Sequence, residues 1–594
     1  MFLCTLLAII TGLRLLASPP KKRTCSWTTN EDDTHDDPQQ SSPYASSGVT
    51  ANPDIIVVGG GFAGICAAIA AAENGASVVV LDRGHGGGTS AISGGVIYAG
   101  GGTKQQKEAG YGDDTPENMF RYLRREVGDA LDELTLRRFC DQSVPLMEWL
   151  ERHGVVFEGS LSPFRTSYPT DRYYLYFSGN EKAHPFADIA KPSPRGHRPK
   201  GQGTSGMGMT GGVLWKAVFD AALRMGVRFE PASRVEELLV DGEGRMKGVR
   251  YRAMDPVSAA TALARHGELC RKASEYHQIS VRLLAEWYDR RAEAMWSREA
   301  KERTLESRVV ILAAGGFVMN EEWTRRFVPW ADRVAKLGTV GDDGSGIRLG
   351  QSLGGAVSHM DRMSAWRLMY PPEALVEGIV VSAGGERIAA EDQYGATSCE
   401  VMIERFGGRG YLILDSAQWR KVKSQVGEQT RMPWTALIRF LIYWAHTKAS
   451  SLEGLAKKLD VDPGRMGETV AAYNDAIRSG KPDPVGKRGW RTVISEPPFY
   501  GIDISLRPDG LMMVPAFPLG GLKVDGASGM VVDESGEKIR GLYAAGKNAA
   551  GLSSNRYVSG LALADCLFSG KRAGVNAAAA AAAAAASLGR SGGS

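Results

Sequence analysis

Residues 54–83 read DIIVVGGGFAGICAAIAAAENGASVVVLDR. Four consecutive β-branched residues, Ile55 to Val58, make a short strand with two buried faces. Gly59, Gly61 and Gly64 follow as GxGxxG, then an alanine-rich stretch of helical length, then a second apolar run, Ser77–Leu81, that ends on Asp82. Each part has a physical reason. The first glycine permits the tight turn, the second lets backbone approach a pyrophosphate, and the third lets helix pack on strand. The helix start, with Phe62 and Ala63, offers free N–H groups and the positive end of its dipole to phosphate. Asp82 and the adjoining Arg83 stand where an acid accepts hydrogen bonds from a ribose. The stretch therefore predicts a βαβ unit that binds a dinucleotide.

Working outward, HGGGTSAISGGVIYAGGGT at 85–103 adds glycine clusters around Thr89, Ser90, Ser93, Gly94 and Gly95. Small hydroxyl residues among glycines let a long dinucleotide run close to the chain. Three further stretches carry the same grammar: VVILAAGGFVMN at 309–320 with Gly315, VGDDGSGIRLGQSLGGA at 340–356, and GGLKVDGASGMVVDESGEKIRGLYAAGKNAAG at 520–551 with Gly546. With these, residues 54–575 resemble the family of FAD-dependent fumarate reductases and 3-ketosteroid dehydrogenases. The resemblance implies an α/β fold: a split Rossmann-like FAD-binding domain, 51–360 and 498–576, with an inserted α+β catalytic cap, 361–497. It also implies noncovalent FAD, because Gly88 occupies the position where covalently flavinylated relatives carry histidine. Lys547 departs from the family, many of whose members have an acid there.

Composition agrees with such a chain. Of 594 residues, 43% are hydrophobic and 23% charged, ordinary for a globular protein of more than one domain. The 73 glycines exceed the ~42 expected at average usage of about 7%. A net charge of +4 is too small and too dispersed to favour nucleic acid as a partner. Seven scattered cysteines without a CxxC pair give no zinc, iron–sulfur or attached haem signature, and reduced thiols in a cytoplasmic setting are expected. No metal site is expected. Residues 2–18 are apolar but interrupted by Arg14; they read as a targeting segment, a membrane contact or a misplaced start. A polar linker follows to residue 50. Residues 253–307 read as a charged helical insertion, solvated because its charges are mixed in sign. Within the cap, SLEGLAKKLDVDPGRMGETVAAYNDAI has the period of two helices broken at Asp-Pro. Residues 577–594 read as a low-complexity tail.

The resemblance offers two chemistries. A fumarate reductase needs a cationic pocket for two carboxylates, yet its carboxylate-binding histidine falls at Trp366 here, its proton-donating arginine at Gly395 and its histidine pair at Ala516 and Phe517. Only Arg556 survives of that set. The 3-ketosteroid 4(5α)-dehydrogenases match better, through GGVIYAGGGT, YGDDTPENMFRYL, YPPEALVEGIVV and the Tyr-x-Ser of YVSGLALADCLFSGKRAG. Dehydrogenation beside a ketone removes an α proton and a β hydride. It calls for a hydroxyl donor on the carbonyl, a hydroxyl relay as base, and flavin as hydride acceptor. The resemblance implies Tyr557 on the carbonyl, helped by an N–H such as that of Leu561, and Ser559 with Tyr370 as the base relay; Tyr557 and the Ser559 pair could exchange roles. Arg556 stands where steroid enzymes commonly have glycine. The expected substrate is a small ketone, a steroid by resemblance, with an electron acceptor unnamed by the sequence. Reduction of an enoate and cofactor binding without catalysis remain the alternatives.

Overall fold

The computed structural model describes residues 52–591 apart from 202, 204–208, 279–280, 368–369, 433 and 508–513. The N-terminal apolar segment, Met369 and the last three residues lie outside the described residues.

The opening stretch folds as its pattern requires. β1 (Ile55–Val58), α1 (Phe62–Glu73) and β2 (Val78–Leu81) form the βαβ unit. β2 is joined on its outer side by β3 (Arg228–Glu230). A meander follows, of β4 (Ser233–Val240), β5 (Met246–Ala253) and β6 (Lys301–Glu306). Between β5 and β6 rise α2 (Ala260–Gln278) and α3 (Arg282–Glu299). The insertion is thus a helical hairpin grown from the tip of a β-hairpin whose register runs unbroken from Ala253↔Lys301 to Gly248↔Glu306. β7 (Val309–Leu312) then enters the main sheet. So, more than two hundred residues later in the chain, do β8 (Met530–Val532) and β9 (Lys538–Ala544). The six strands lie in the order β8-β9-β7-β1-β2-β3, parallel except for β8. A sheet buried on both faces wants continuous apolar strands, and every residue of β1, β2 and β7 is buried.

α4 (Leu561–Ser591) crosses back over this sheet against α1. The two helices approach through small residues. A Cβ on Gly570 would lie 2.5 Å from Ala63 O, and one on Gly574 2.2 Å from Ala67 O. The alanine run expected as a tail is instead the continuation of α4, with Ala577, Ala578 and Ala581 buried in the core. Alanine has the highest helix propensity, so a low-complexity run extends a helix that already has a docking partner.

The cap carries a four-stranded antiparallel sheet, in the order Ile379–Val381, Tyr411–Leu414, Phe499–Asp503 and Thr447–Ala449. Because Phe499–Asp503 pairs inside this sheet, the cap reaches beyond residue 497, where the sequence reading closed it. The helices expected around the Asp-Pro break are Leu452–Leu459 and Pro463–Arg478, the second capped by Asp462, whose side chain accepts the N–H of Arg465. A three-stranded sheet built of Ala335–Lys336, Pro515–Pro518 and Met363–Ala365 links cap and nucleotide domain. The five cysteines among the described residues form no disulfide. No described helix is long and apolar enough to cross a membrane.

Candidate active site

The residues expected to hold the dinucleotide converge on the first turn of α1. Gly59 sits at φ +107°, and a Cβ there would lie 2.5 Å from Ala313 O; a Cβ on Gly64 would lie 1.9 Å from Gly59 O. Both positions demand glycine. Gly61 differs: the nearest atom to its absent Cβ is Gly87 O at 4.0 Å, so this face of the turn is open for close backbone approach. The Asp82 carboxylate accepts N–H groups from Gly60 at 2.7 Å, Gly84 at 2.8 Å and Gly86 at 2.9 Å, which ties both sides of the turn to the end of β2.

Other segments close around the same turn. Ser90 Oγ accepts the N–H of Phe62 at 3.4 Å, and Thr89 donates to Asp342. Asp342 also takes the N–H of Gly316 at 3.0 Å, beside Gly315 at φ +85°. Ser93 Oγ donates to Ser90 O and accepts the Gly95 N–H. Gly94 O accepts the Tyr168 hydroxyl at 2.9 Å. Asn548 Oδ1 accepts the N–H of Ala314 at 2.8 Å, and a Cβ on Gly546 would stand 2.7 Å from the Ala63 methyl. Arg83 points elsewhere: its guanidinium is committed to Asp343 at 2.6 Å. Lys547, beside Asn548, lays its ammonium 3.6 Å from the centre of the Phe517 ring, and burial pushes its pKa down.

Phe517 leads into the reactive end. Its ring is 5.1 Å from that of Tyr557; Trp366 lies 5.8 Å and Tyr394 6.4 Å from the same ring. The four aromatics form a box at the start of α4. Tyr557 is half-buried, its hydroxyl taking a long 3.4 Å contact from Gly560 N–H. Burial raises its pKa to about 12, so it stays protonated and can donate.

Ser559 is buried and shares a 2.8 Å hydrogen bond with the hydroxyl of Tyr176. The structure does not bring Ser559 to Tyr370. The Tyr370 hydroxyl accepts from Arg165 Nη2 at 3.1 Å and donates to Gln393 O at 3.4 Å, inside the core of the cap. The hydroxyl that meets Ser559 is instead that of Tyr176, which sits in DRYYLYFSGN, a stretch of aromatics that was the available signal. Tyr394, next to Gly395 after GERIAAE, was missed as well; its hydroxyl and that of Tyr557 both interact with Ser559. Burial raises Tyr176 and Tyr394 well above the usual tyrosine range. The Leu561 N–H is bonded to Val558 O at 3.1 Å.

Arg556 does not stand as a free carboxylate clamp. Its Nε lies 2.9 Å from Glu400 Oε2, and Glu400, raised by burial, is held down by Arg556. A pocket for a dianion needs uncommitted positive charge, and the charge of this arginine is already matched within the chain.

The family described as FAD binding domain matches residues 54–561. The chain belongs to it. A 3-oxo-5-alpha-steroid 4-dehydrogenase of Comamonas testosteroni is 35% identical over 454 residues, covering 72% of this chain and 80% of that one. The solved 3-ketosteroid-delta4-(5alpha)-dehydrogenase of Rhodococcus jostii RHA1, in complex with 4-androstene-3,17-dione, superposes with TM-score 0.73 at 31% identity, over 89% of this chain and 96% of that one. A cytochrome-type fumarate reductase of Shewanella frigidimarina is more distant, 23% identical over 65% of this chain and 57% of its own. The protein is an FAD-dependent oxidoreductase of the 3-ketosteroid dehydrogenase type, in the α/β architecture expected. The open rim at Gly61, the acid-free first turn of α1 and the carboxylate at the end of β2 fit the pyrophosphate and ribose of FAD.

Proposed function

We propose that the protein binds FAD noncovalently and desaturates a 3-ketosteroid between the carbon beside the ketone and the next ring carbon. The observation that carries this reading is the buried Tyr176–Ser559 hydroxyl pair in an aromatic box at the start of α4. Bound FAD supplies the hydride acceptor. Trp366, Phe517 and Tyr394 give an apolar surface suited to a flat ring system, and Arg556, the one residue kept from the fumarate reductase set, is paired with Glu400.

Tyr557 donates its hydroxyl to the ketone oxygen, which acidifies the neighbouring C–H and stabilises the enolate character that develops there. Ser559 Oγ takes the α proton as its own proton passes to a deprotonated Tyr176 Oη; the β hydrogen leaves with its electron pair, and the C=C bond forms from the C–H pair left at the α carbon. Burial holds Tyr176 protonated at neutral pH, so the rate rises with pH until the tyrosine ionises. Tyr370 acts behind the site by holding Arg165. Gly88, which offers no side chain for flavinylation at the position where covalently flavinylated relatives carry histidine, supports the noncovalent reading.

The test is anaerobic titration of the oxidised enzyme with a 5α-3-ketosteroid, reading the flavin absorbance, with reduced enzyme plus fumarate as its companion. Bleaching by the steroid without reoxidation by fumarate supports the proposal. Reoxidation by fumarate with no steroid bleaching refutes it and returns Arg556 to the leading role.

A further inference from the structure

The helical insertion is packed against the nucleotide loop. His266 of α2 is buried, and its Nδ1 shares a 3.2 Å hydrogen bond with Nε2 of His85, three residues beyond Asp82. A Cβ on Gly267 would stand 2.9–3.1 Å from the His85 ring, so α2 comes as near to this histidine as backbone can. From α3, Glu293 binds Arg234 of β4 at 2.6 Å and reaches Arg83, the residue after Asp82, at 3.9 Å. Trp296 is buried under the Arg234 guanidinium at 3.8 Å, and its Nε1 donates to Ala232 O at 2.9 Å. Such contacts fix the hairpin in one place; a solvated excursion would not need them.

In a βαβ dinucleotide site the pyrophosphate lies at the start of the helix and the acid at the end of the second strand takes the adenosine ribose. The adenosine half of FAD therefore lies beyond the carboxyl end of β2, the side on which His85 stands. We propose that the insertion 253–307 is a latch on the adenosine half of the cofactor, its inner wall formed by His266 and Gly267 against His85 and its position fixed by Glu293. Burial pushes the pKa of both histidines down, that of His266 to about 4, so the pair would stand beside the adenosine as neutral imidazoles.

The experiment is cofactor affinity on the full chain. FAD is removed, and the fluorescence of added FAD is titrated with wild type, His266→Ala, His266→Ala with Glu293→Gln, and Arg265→Ala on the exposed face of the same helix. ADP and FMN are then run as competitors. The proposal expects the double variant to bind FAD and ADP at least about tenfold more weakly, equal to about 1.4 kcal/mol, with FMN and Arg265→Ala unchanged. An unchanged FAD dissociation constant overturns the latch. Equal weakening of FAD, ADP and FMN overturns it too, since that is the mark of a generally loosened fold.

Discussion

Exchange of one hydroxyl separates the pairing seen in the structure from the pairing that the sequence suggested. Tyr176→Phe removes the partner that Ser559 meets at 2.8 Å, and both groups are buried. Leaving a buried hydroxyl unpaired costs roughly 1–3 kcal/mol, and loss of a positioned proton acceptor costs about 10²–10⁴ in rate. The lower end applies here, because Tyr394 and Tyr557 also interact with Ser559: flavin reduction by ketone should slow about 10²-fold, and its rise with pH should flatten. Tyr370→Phe is the control. It removes a hydroxyl bonded to Arg165, whose Nη2 keeps Gly179 O at 3.1 Å and Asp392 O at 2.9 Å. This variant should lose about 1 kcal/mol of stability with its rate little changed. The assay is anaerobic rapid mixing with excess ketone across a pH series, together with thermal unfolding. Equal rate losses in the two variants, or an unaffected Tyr176→Phe, would refute the assignment of the relay.

Other expectations follow from single groups. Burial raises Glu126 from 4.5 to about 7; the folded state then holds a proton that the unfolded chain has released, so stability is full below about pH 4.5 and falls as pH rises to about 7, by up to about 3 kcal/mol. Glu126→Gln keeps an oxygen for Tyr122 and Asn180, which bond it at 2.8 and 2.7 Å, and should flatten that part of the melting-temperature profile. Glu400→Gln frees the Arg556 guanidinium and should create measurable succinate binding by calorimetry where the wild type has none; absence of binding would mean that the arginine does not face the cavity. Gly64→Val, with Gly59 O 1.9 Å from the new Cβ, should abolish FAD retention through gel filtration. Truncation after Asn576 removes three buried alanines of α4 and should cost about 2 kcal/mol, at about 0.8 per buried methyl, read as a lower melting temperature.

What was legible in the sequence was whatever backbone geometry imposes locally. The turn at Gly59 admits no side chain, the helix after it needs small residues to reach the sheet, and the acid at Asp82 must receive three N–H groups; each requirement leaves its mark within a few residues. The segment of β7 was legible for the same reason, since a strand buried on both faces has to be continuously apolar; in β9 only Leu542, Tyr543 and Ala544 are buried. The alanine run was misread because composition alone does not say whether a helix has something to lie on. Here α1 offers Ala63 and Ala67 to Gly570 and Gly574, and the last third of α4 follows from that docking.

The partner of Ser559 was not legible, for a deeper reason. Ser559 and Tyr176 are 383 residues apart, and nothing local at either position records the other. Tyrosines from three segments were available, and their fates are set by what else is buried with them. Arg165 carries its charge into the cap core, and a buried guanidinium needs acceptors; Tyr370 is placed to be one, so its hydroxyl is not available to Ser559. Among the described residues Tyr176 has Ser167 O at 3.4 Å as its other bonded partner and takes the serine. The same competition disposes of Arg556, which finds Glu400 before it can find a substrate. In this site the charged residues settle with one another first, and the neutral hydroxyls left over, Tyr557, Ser559 and Tyr176, are the ones we propose to face a ketone.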